Sequence, residues 1–169
     1  MQPSEALGIA AQVAVTLAGF AGIVVVFRPD SVHRWSPLDK LRLQLLLINS
    51  ALPLGESLFG MLLLTFDPPP GSIWRWCSGF SFSAQVLVFV YMRNPRRRLF
   101  TRADMPAVNK YLFYGIAVIA TVATALQAIN FSAWNRFWPF FAIIFVHLVA
   151  ALAQFVRMVL LPPHEPSGR

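Results

Sequence analysis

Hydrophobic and polar residues alternate along this chain in long blocks. Five apolar runs are each long enough to cross a bilayer core of about 30 Å. They cover residues 6–27, 41–66, 73–92, 111–130 and 137–161, and only short polar gaps separate them. The pattern predicts an all-α fold, a polytopic bundle of five transmembrane helices that forms a single membrane domain over residues 1–169.

The basic residues indicate how these helices cross the membrane. Of the 14 Lys and Arg residues, four lie at the first gap, six at the third and two at the C-terminal end. The remaining two are Arg75 and Arg136, at the second and fourth gaps. Because Lys and Arg accumulate in cytoplasmic loops, we predict an outer N-terminus and a cytoplasmic C-terminus. The same residues are expected to contact anionic lipid headgroups rather than nucleic acid.

The aromatic residues support this topology independently. Tryptophan prefers the level of the lipid headgroups, where its ring is half apolar and its N–H reaches water. Four tryptophans lie at the predicted outer ends of the third and fifth runs: Trp74, Trp76, Trp134 and Trp138. All three tyrosines lie beside the third, cytoplasmic gap, so these residues avoid the predicted middle of the membrane.

Composition excludes several classes of protein. The chain is 57% hydrophobic and 12% charged, which is too little polar surface for a soluble domain of this length. The single Cys77 excludes an intramolecular disulfide and a CxxC redox pair. Neither a glycine-rich phosphate loop nor a metal-ligand spacing is present, so we expect no cofactor, no metal and no enzymatic activity. The alternative is an intramembrane hydrolase with a serine–histidine pair of Ser81 and His147.

The strongest candidate for a functional group is Glu56. It lies ten residues from the outer end of the second run, and therefore about 15 Å deep at a rise of about 1.5 Å per residue. A carboxylate at that depth costs several kcal/mol unless it is paired, hydrated or protonated. His147 lies ten residues from the outer end of the fifth run, so we predict that it hydrogen-bonds Glu56 at the same depth.

Every other run also offers polar groups near this level. The candidate site adds Asn49, Ser81, Gln85 and Gln154, and the wider polar set includes Gln12, Ser78, Thr124 and Gln127. Two interpretations remain open. The residues either form a hydrated or proton-carrying pathway, or they hydrogen-bond one another between helices at about 0.6–2 kcal/mol a pair.

The first run carries a second pattern, made of small residues. Ala10, Ala14, Ala18 and Gly22 recur every four residues. Small residues let helix backbones approach closely in lipid, so this stripe is predicted to be a helix-packing face. Its partner is either another helix of the same chain or a neighbouring subunit.

Prolines and a capping signal predict several helix boundaries. Residues 36–39, with the sequence SPLD, predict a second helix that begins at Pro37. Three further breaks are predicted at Asp67–Gly71, at Asn94-Pro95 and at Pro162-Pro163.

Two segments carry a resemblance. Residues 19–28, with the sequence GFAGIVVVFR, and residues 35–42, with the sequence WSPLDKLR, resemble a pattern in small bacterial membrane proteins of uncharacterised function. The resemblance covers residues 19–60. It implies a multi-pass protein of the bacterial inner membrane and brings no activity or site residues. We expect Trp35, Asp39 and Arg42 to form a structured cytoplasmic segment.

Two functions follow from these patterns. In the first, the chain is an accessory or structural subunit that packs within a larger membrane assembly through the small-residue face of its first helix. In the second, it is a small homo-oligomeric transporter or channel-like protein that moves protons, ions or a small solute past Glu56 and His147. No motif in the sequence identifies a substrate or a partner.

Overall fold

A computed structural model describes residues 1–27, 32–66, 71–100 and 107–160, with the backbone alone for 94–100 and 107–113. The regular structure in these ranges is helical throughout. The helices are α1 (Pro3–Phe27), α2 (Pro37–Leu64), α3 (Ile73–Phe100), α4 (Ala107–Ile129) and α5 (Phe137–Leu160). A short 3₁₀ turn, Val32–Arg34, precedes α2, and a π-helical segment, Asn130–Trp134, follows α4. The predicted all-α fold is confirmed.

Four helical stretches in the described residues are long and apolar enough to cross a membrane. They are α1, α2, Tyr114–Trp134 and α5. These four stretches indicate a membrane protein. The third helix falls outside this group because polar side chains interrupt its apolar positions: Arg75, Ser78, Ser81, Ser83 and Gln85. Five spans therefore stay a prediction.

The predicted break at Asn94-Pro95 is wrong, because α3 continues to Phe100. A proline lacks one N–H, so it removes the hydrogen bond to the carbonyl four residues earlier, here that of Tyr91. The arginines that follow are good helix formers and favour continuation. Residues 67–70 of the predicted break at Asp67–Gly71 lie outside the described residues, as does the predicted break at 162–163.

The start of α2 is ordered by its own side chains. The Ser36 hydroxyl accepts a hydrogen bond from the backbone N–H of Asp39 at 3.1 Å, and Pro37 occupies the first turn. The Asp39 carboxylate also pairs with Arg42 at 3.1 Å. Trp35, Asp39 and Arg42 are all buried. The segment that precedes α2 is therefore packed against the helices, as its capping signal indicated.

Three helices form the main core. The first, second and fifth pack against one another, α3 packs on α2, and α4 packs on α5 and α3. One apolar cluster consists of Leu17, Ala21, Val24, Trp35, Leu43, Leu46, Ala151 and Met158. A second consists of Leu7, Ala10, Ile73, Cys77, Phe140 and Ile144. Since α2 and α5 lie at the centre, polar groups on their inner faces are removed from the surroundings.

The small-residue face of α1 is only half internal. Ala10 and Ala14 are buried, Ala18 is half-buried and Gly22 is exposed. A Cβ atom at Gly22 would meet no atom of a neighbouring helix within 4 Å. The reason is geometric: a repeat of four residues rotates by about 40° per step on a helix of 3.6 residues per turn. The buried stripe continues instead through residues three or four apart, namely Leu17, Ala21 and Val24.

Asn135 links the α2–α3 and α4–α5 connections, which lie at the same end of the bundle. This residue has a φ of 52°, in the left-handed region that asparagine tolerates better than most residues. Its side-chain oxygen accepts from the N–H of Arg75 at 3.1 Å, and its amide donates to the carbonyl of Gly71 at 2.8 Å. The two connections are thereby joined at a single side chain.

Candidate functional site

Glu56 of α2 is fully buried and faces α3. The Ser81 hydroxyl donates a 2.6 Å hydrogen bond to Glu56 Oε1. Gln85, one turn further along α3, also lies beside the carboxyl. The second carboxyl oxygen, Oε2, is buried without a hydrogen-bond partner. The side chains that contact this carboxyl group therefore come from α3.

His147 of α5 lies between two side-chain amides. Its Nδ1 is 2.8 Å from Asn49 Oδ1, and its Nε2 is 2.5 Å from Gln85 Nε2. The Asn49 amide nitrogen donates to the carbonyl of Leu45 at 2.7 Å, which leaves the oxygen of Asn49 facing the ring. Because the Gln85 amide can only donate to Nε2, the ring hydrogen is assigned to Nδ1.

Gln85 connects the two halves of the site. Its amide nitrogen contacts His147, and its oxygen accepts from the Thr124 hydroxyl of α4 at 3.4 Å. The predicted hydrogen bond between Glu56 and His147 is not formed. Ser81 of α3 bonds to Glu56, and Gln85 of α3 contacts His147 and also lies beside the Glu56 carboxyl, so α3 links these two groups. Groups from four helices meet in this cluster.

The remaining candidates occupy other positions. Gln154 is buried on α5, two turns from His147, and its Oε1 has no hydrogen-bond partner. Gln12 is exposed on α1, on the side away from the cluster. Ser81 and His147 bond to other groups, so the alternative serine–histidine pair is not formed. The structure thus brings together Glu56, Ser81, Gln85, His147 and Asn49, with Gln154 nearby.

A cavity of about 450 Å³ adjoins the cluster between α2, α3, α4 and α5. Its polar lining consists of Asn49, Gln85, Thr121, Thr124, His147 and Gln154, and the rest of its lining is apolar. Glu56 does not line it, because Gln85 lies between the carboxyl and the cavity. The volume falls within the range of about 300–1,000 Å³ that is typical of small-molecule sites.

Sequence reasoning missed Asn130, which organises the neighbouring end of the bundle. Its amide donates to the Ser78 hydroxyl at 2.7 Å and to the Arg136 carbonyl at 2.9 Å, and its oxygen accepts from the Arg136 N–H at 2.8 Å. Gln127, one turn earlier, donates to the carbonyl of Pro139 at 2.7 Å. An asparagine at the end of an apolar run, just before a polar turn, was the available signal.

No protein-family model, no curated protein and no solved structure matches this chain. The chemistry of the site rests on its own groups, which are one carboxyl, one imidazole, three amides and two hydroxyls. Within the residues that the structure describes, no three His, Cys, Asp or Glu side chains come together as a metal site requires. The cluster can exchange protons or hydrogen-bond a small molecule.

Proposed function

We propose that this chain is a five-span protein of the bacterial inner membrane whose polar cluster carries a proton or a small solute through the membrane interior. The cytoplasmic C-terminus and the outer N-terminus follow from the distribution of basic residues along the sequence. The bacterial location rests on the resemblance of residues 19–60 to small bacterial membrane proteins.

The packing of α3 supports its role as a fifth span. Three of the residues that make it less apolar, Ser78, Ser81 and Gln85, bond to other parts of the bundle. The exposed surface of the helix carries large apolar side chains: Phe82, Val86, Leu87, Phe89 and Val90. Such a helix can cross a bilayer just as a uniformly apolar helix can, because these polar groups are satisfied inside the protein.

Aromatic contacts support a membrane interface at one end of the bundle. The rings of Trp74 and Phe137 lie 4.8 Å apart, and those of Trp134 and Trp138 lie 5.8 Å apart. The tryptophans that we assign to the outer interface therefore cluster at one end of the bundle, where a belt of aromatic residues is expected.

The observation that carries the proposed activity is the environment of Glu56. A carboxyl group at this depth is expensive, and a glutamine would join two helices at lower cost. Glu56 nevertheless has one oxygen bonded to Ser81 and the other without a partner. The adjoining cavity, lined by Gln85 and His147, provides room for a solute, and Gln85 connects it to the carboxyl.

Flux through liposomes tests this proposal. Purified protein is reconstituted around a pH-sensitive dye, and proton movement is followed after a pH step. We expect Glu56→Gln to abolish most of the flux without changing the elution volume of the protein. Glu5→Gln, at an exposed position at the start of α1, is the matched control and should retain the flux. Equal flux from wild type and Glu56→Gln would overturn the proposal.

A second candidate function, that of an accessory subunit, is favoured by the surface of α1 that faces away from the other helices. Gln12 and Thr16 are exposed there, with Gly19 on the same side. The Thr16 hydroxyl bonds to the backbone carbonyl of Gln12 at 2.8 Å, and the Gln12 side chain is exposed. An amide that faces lipid is unfavourable, and a helix of another subunit would cover it.

Native mass spectrometry of protein extracted from its host in mild detergent tests this second candidate. A stoichiometric foreign subunit that is lost in Gln12→Leu and Gly19→Leu, but kept in Glu56→Gln, would establish the accessory role. Wild-type protein that carries no other chain would exclude it.

A further inference from the structure

We propose that the cavity beside the polar cluster binds an uncharged, mainly apolar molecule with a hydroxyl group, which reaches the cavity sideways from the bilayer. This inference rests on the proposed function, because it names the class of solute that the same site would carry.

The polar groups of the cavity lie at two separate positions. His147 and its amide partners form one, and Gln154 forms the other, seven residues further along α5; the hydroxyls of Thr121 and Thr124 bond to carbonyls of their own helix. At a rise of about 1.5 Å per residue, the two are about 10 Å apart. Much of the remaining wall is apolar and includes Leu45, Ile48, Leu52 and Val88. A molecule with a hydrocarbon body and a polar group at one end matches this distribution.

The hydrogen-bonding groups differ between these two positions. At the cluster, both ring nitrogens of His147 have partners, and the Thr124 hydroxyl bonds to the carbonyl of Ala120 at 2.7 Å. Gln154 is only 4% exposed, yet its Oε1 has no hydrogen-bond partner. A buried acceptor without a donor is unfavourable, so the ligand group that fits here is a donor such as a hydroxyl.

The uncharged lining of the cavity and the direction in which it opens narrow the class of ligand further. None of the described residues that line the cavity is Asp, Glu, Lys or Arg, so the site offers no partner for a charged ligand. The wall between α3 and α4 contains exposed residues on both helices: Phe82, Val86, Phe89, Thr121 and Ala125. These helices pack outside the core of α1, α2 and α5, so this side of the cavity faces lipid. The ligand therefore comes from the bilayer.

Photolabelling of the full-length protein in liposomes tests the proposal. The probes are a long-chain alcohol that carries a diazirine and the matched hydrocarbon that lacks the hydroxyl. Labelled residues are found by peptide mass spectrometry. We expect the alcohol to label the segments 45–52, 82–89 and 116–125 several times more than the hydrocarbon does, and an excess of unlabelled alcohol to compete.

Two variants test the acceptor and the cavity, and a third serves as the control. Gln154→Leu removes the free acceptor, and its apparent affinity for the alcohol should fall by about 2- to 10-fold, the contribution of one hydrogen bond. Ala120→Phe fills the cavity and should abolish labelling. Gln44→Leu makes the same exchange at an exposed position outside the cavity and should change nothing.

Equal labelling by the alcohol and the hydrocarbon would overturn the proposal, and this comparison needs only the wild-type protein. An affinity that is the same in Gln154→Leu and Gln44→Leu would also overturn it. Labelling requires no transport, so a chain that binds the alcohol but carries no flux keeps this site and loses the transport function. A chain that carries flux but shows no labelling in the cavity keeps the transport function and loses the alcohol site.

Discussion

The Ser81 hydroxyl donates to Glu56 Oε1 at 2.6 Å, and both side chains are fully buried. This bond joins the polar side of α3 to α2, which belongs to the apolar core. It helps to explain how the least apolar of the five helices is accommodated in the bundle, since Ser78, Ser81 and Gln85 each bond to a polar group outside α3.

Loss of that hydroxyl should destabilise the protein. We expect Ser81→Ala to lower the free energy of unfolding by about 1–3 kcal/mol, because a buried carboxyl loses its donor. Ser83→Ala should change it by less than about 0.5 kcal/mol, since Ser83 is exposed and bonds only to the carbonyl of Gly79 in its own helix. Reversible unfolding in mixed micelles measures both variants, and equal losses would contradict the prediction.

The contact between Asn49 and His147 should be energetically coupled. A double-mutant cycle with Asn49→Leu and His147→Phe is expected to give an interaction free energy of about 0.6–1.7 kcal/mol, the range for hydrogen bonds between membrane helices. Unfolding of the two single variants and of the double variant provides the measurement. Asn49→Leu combined with Gln12→Leu serves as the control and should be additive, and coupling of equal size there would contradict the assignment.

Two positions of the small-residue face should respond oppositely to a bulky side chain. Ala14 is fully buried, so Ala14→Leu should cost about 1–3 kcal/mol of stability by overpacking. Gly22→Leu should be neutral or slightly stabilising, because the position is exposed, a Cβ there meets no neighbouring atom within 4 Å, and leucine favours the helix by up to about 1 kcal/mol over glycine. Thermal unfolding in detergent compares the two, and a destabilised Gly22→Leu monomer would count against the packing described for α1.

The cap of α2 should contribute measurably to its first turn. Ser36→Ala removes the acceptor for the backbone N–H of Asp39 and is expected to cost about 0.5–2 kcal/mol. Hydrogen exchange should then show faster loss of protection at Asp39 and Lys40. Ser132→Ala is the matched control because the Ser132 hydroxyl is exposed and bonds only to carbonyls nearby in the chain. Unchanged exchange at Asp39 in Ser36→Ala would show that the cap is dispensable.

Local features of the sequence predicted most helix boundaries. Within the described residues, α2 and α4 end within two residues of their apolar runs, and α3 and α5 begin where their runs begin, because the length of an apolar run and a cap such as Ser36 are properties of adjacent residues. The end of α3 could not be read in this way. A proline such as Pro95 costs one hydrogen bond, and whether a helix tolerates that loss depends on its surroundings.

The members of the candidate site were visible in the sequence, but their partners were not. Glu56 and His147 stand out because a carboxyl and an imidazole are rare within apolar runs. Their similar depth was a reasonable ground for a direct bond. Which groups touch also depends on the rotation of each helix and on the reach of its side chains, and these brought Gln85 to His147 and Ser81 to Glu56.

By itself, the sequence determined that this chain is helical, that most of its helices suit a membrane, and that a few polar residues lie deep within them. Those properties depend on hydrophobicity and on neighbours along the chain. Only the tertiary structure decided that Gln12 and Gly22 face outward, that Gln85 joins two helices, and that a cavity adjoins His147. Such relationships arise where distant segments meet, and the rotation of each helix about its axis decides which of its residues take part.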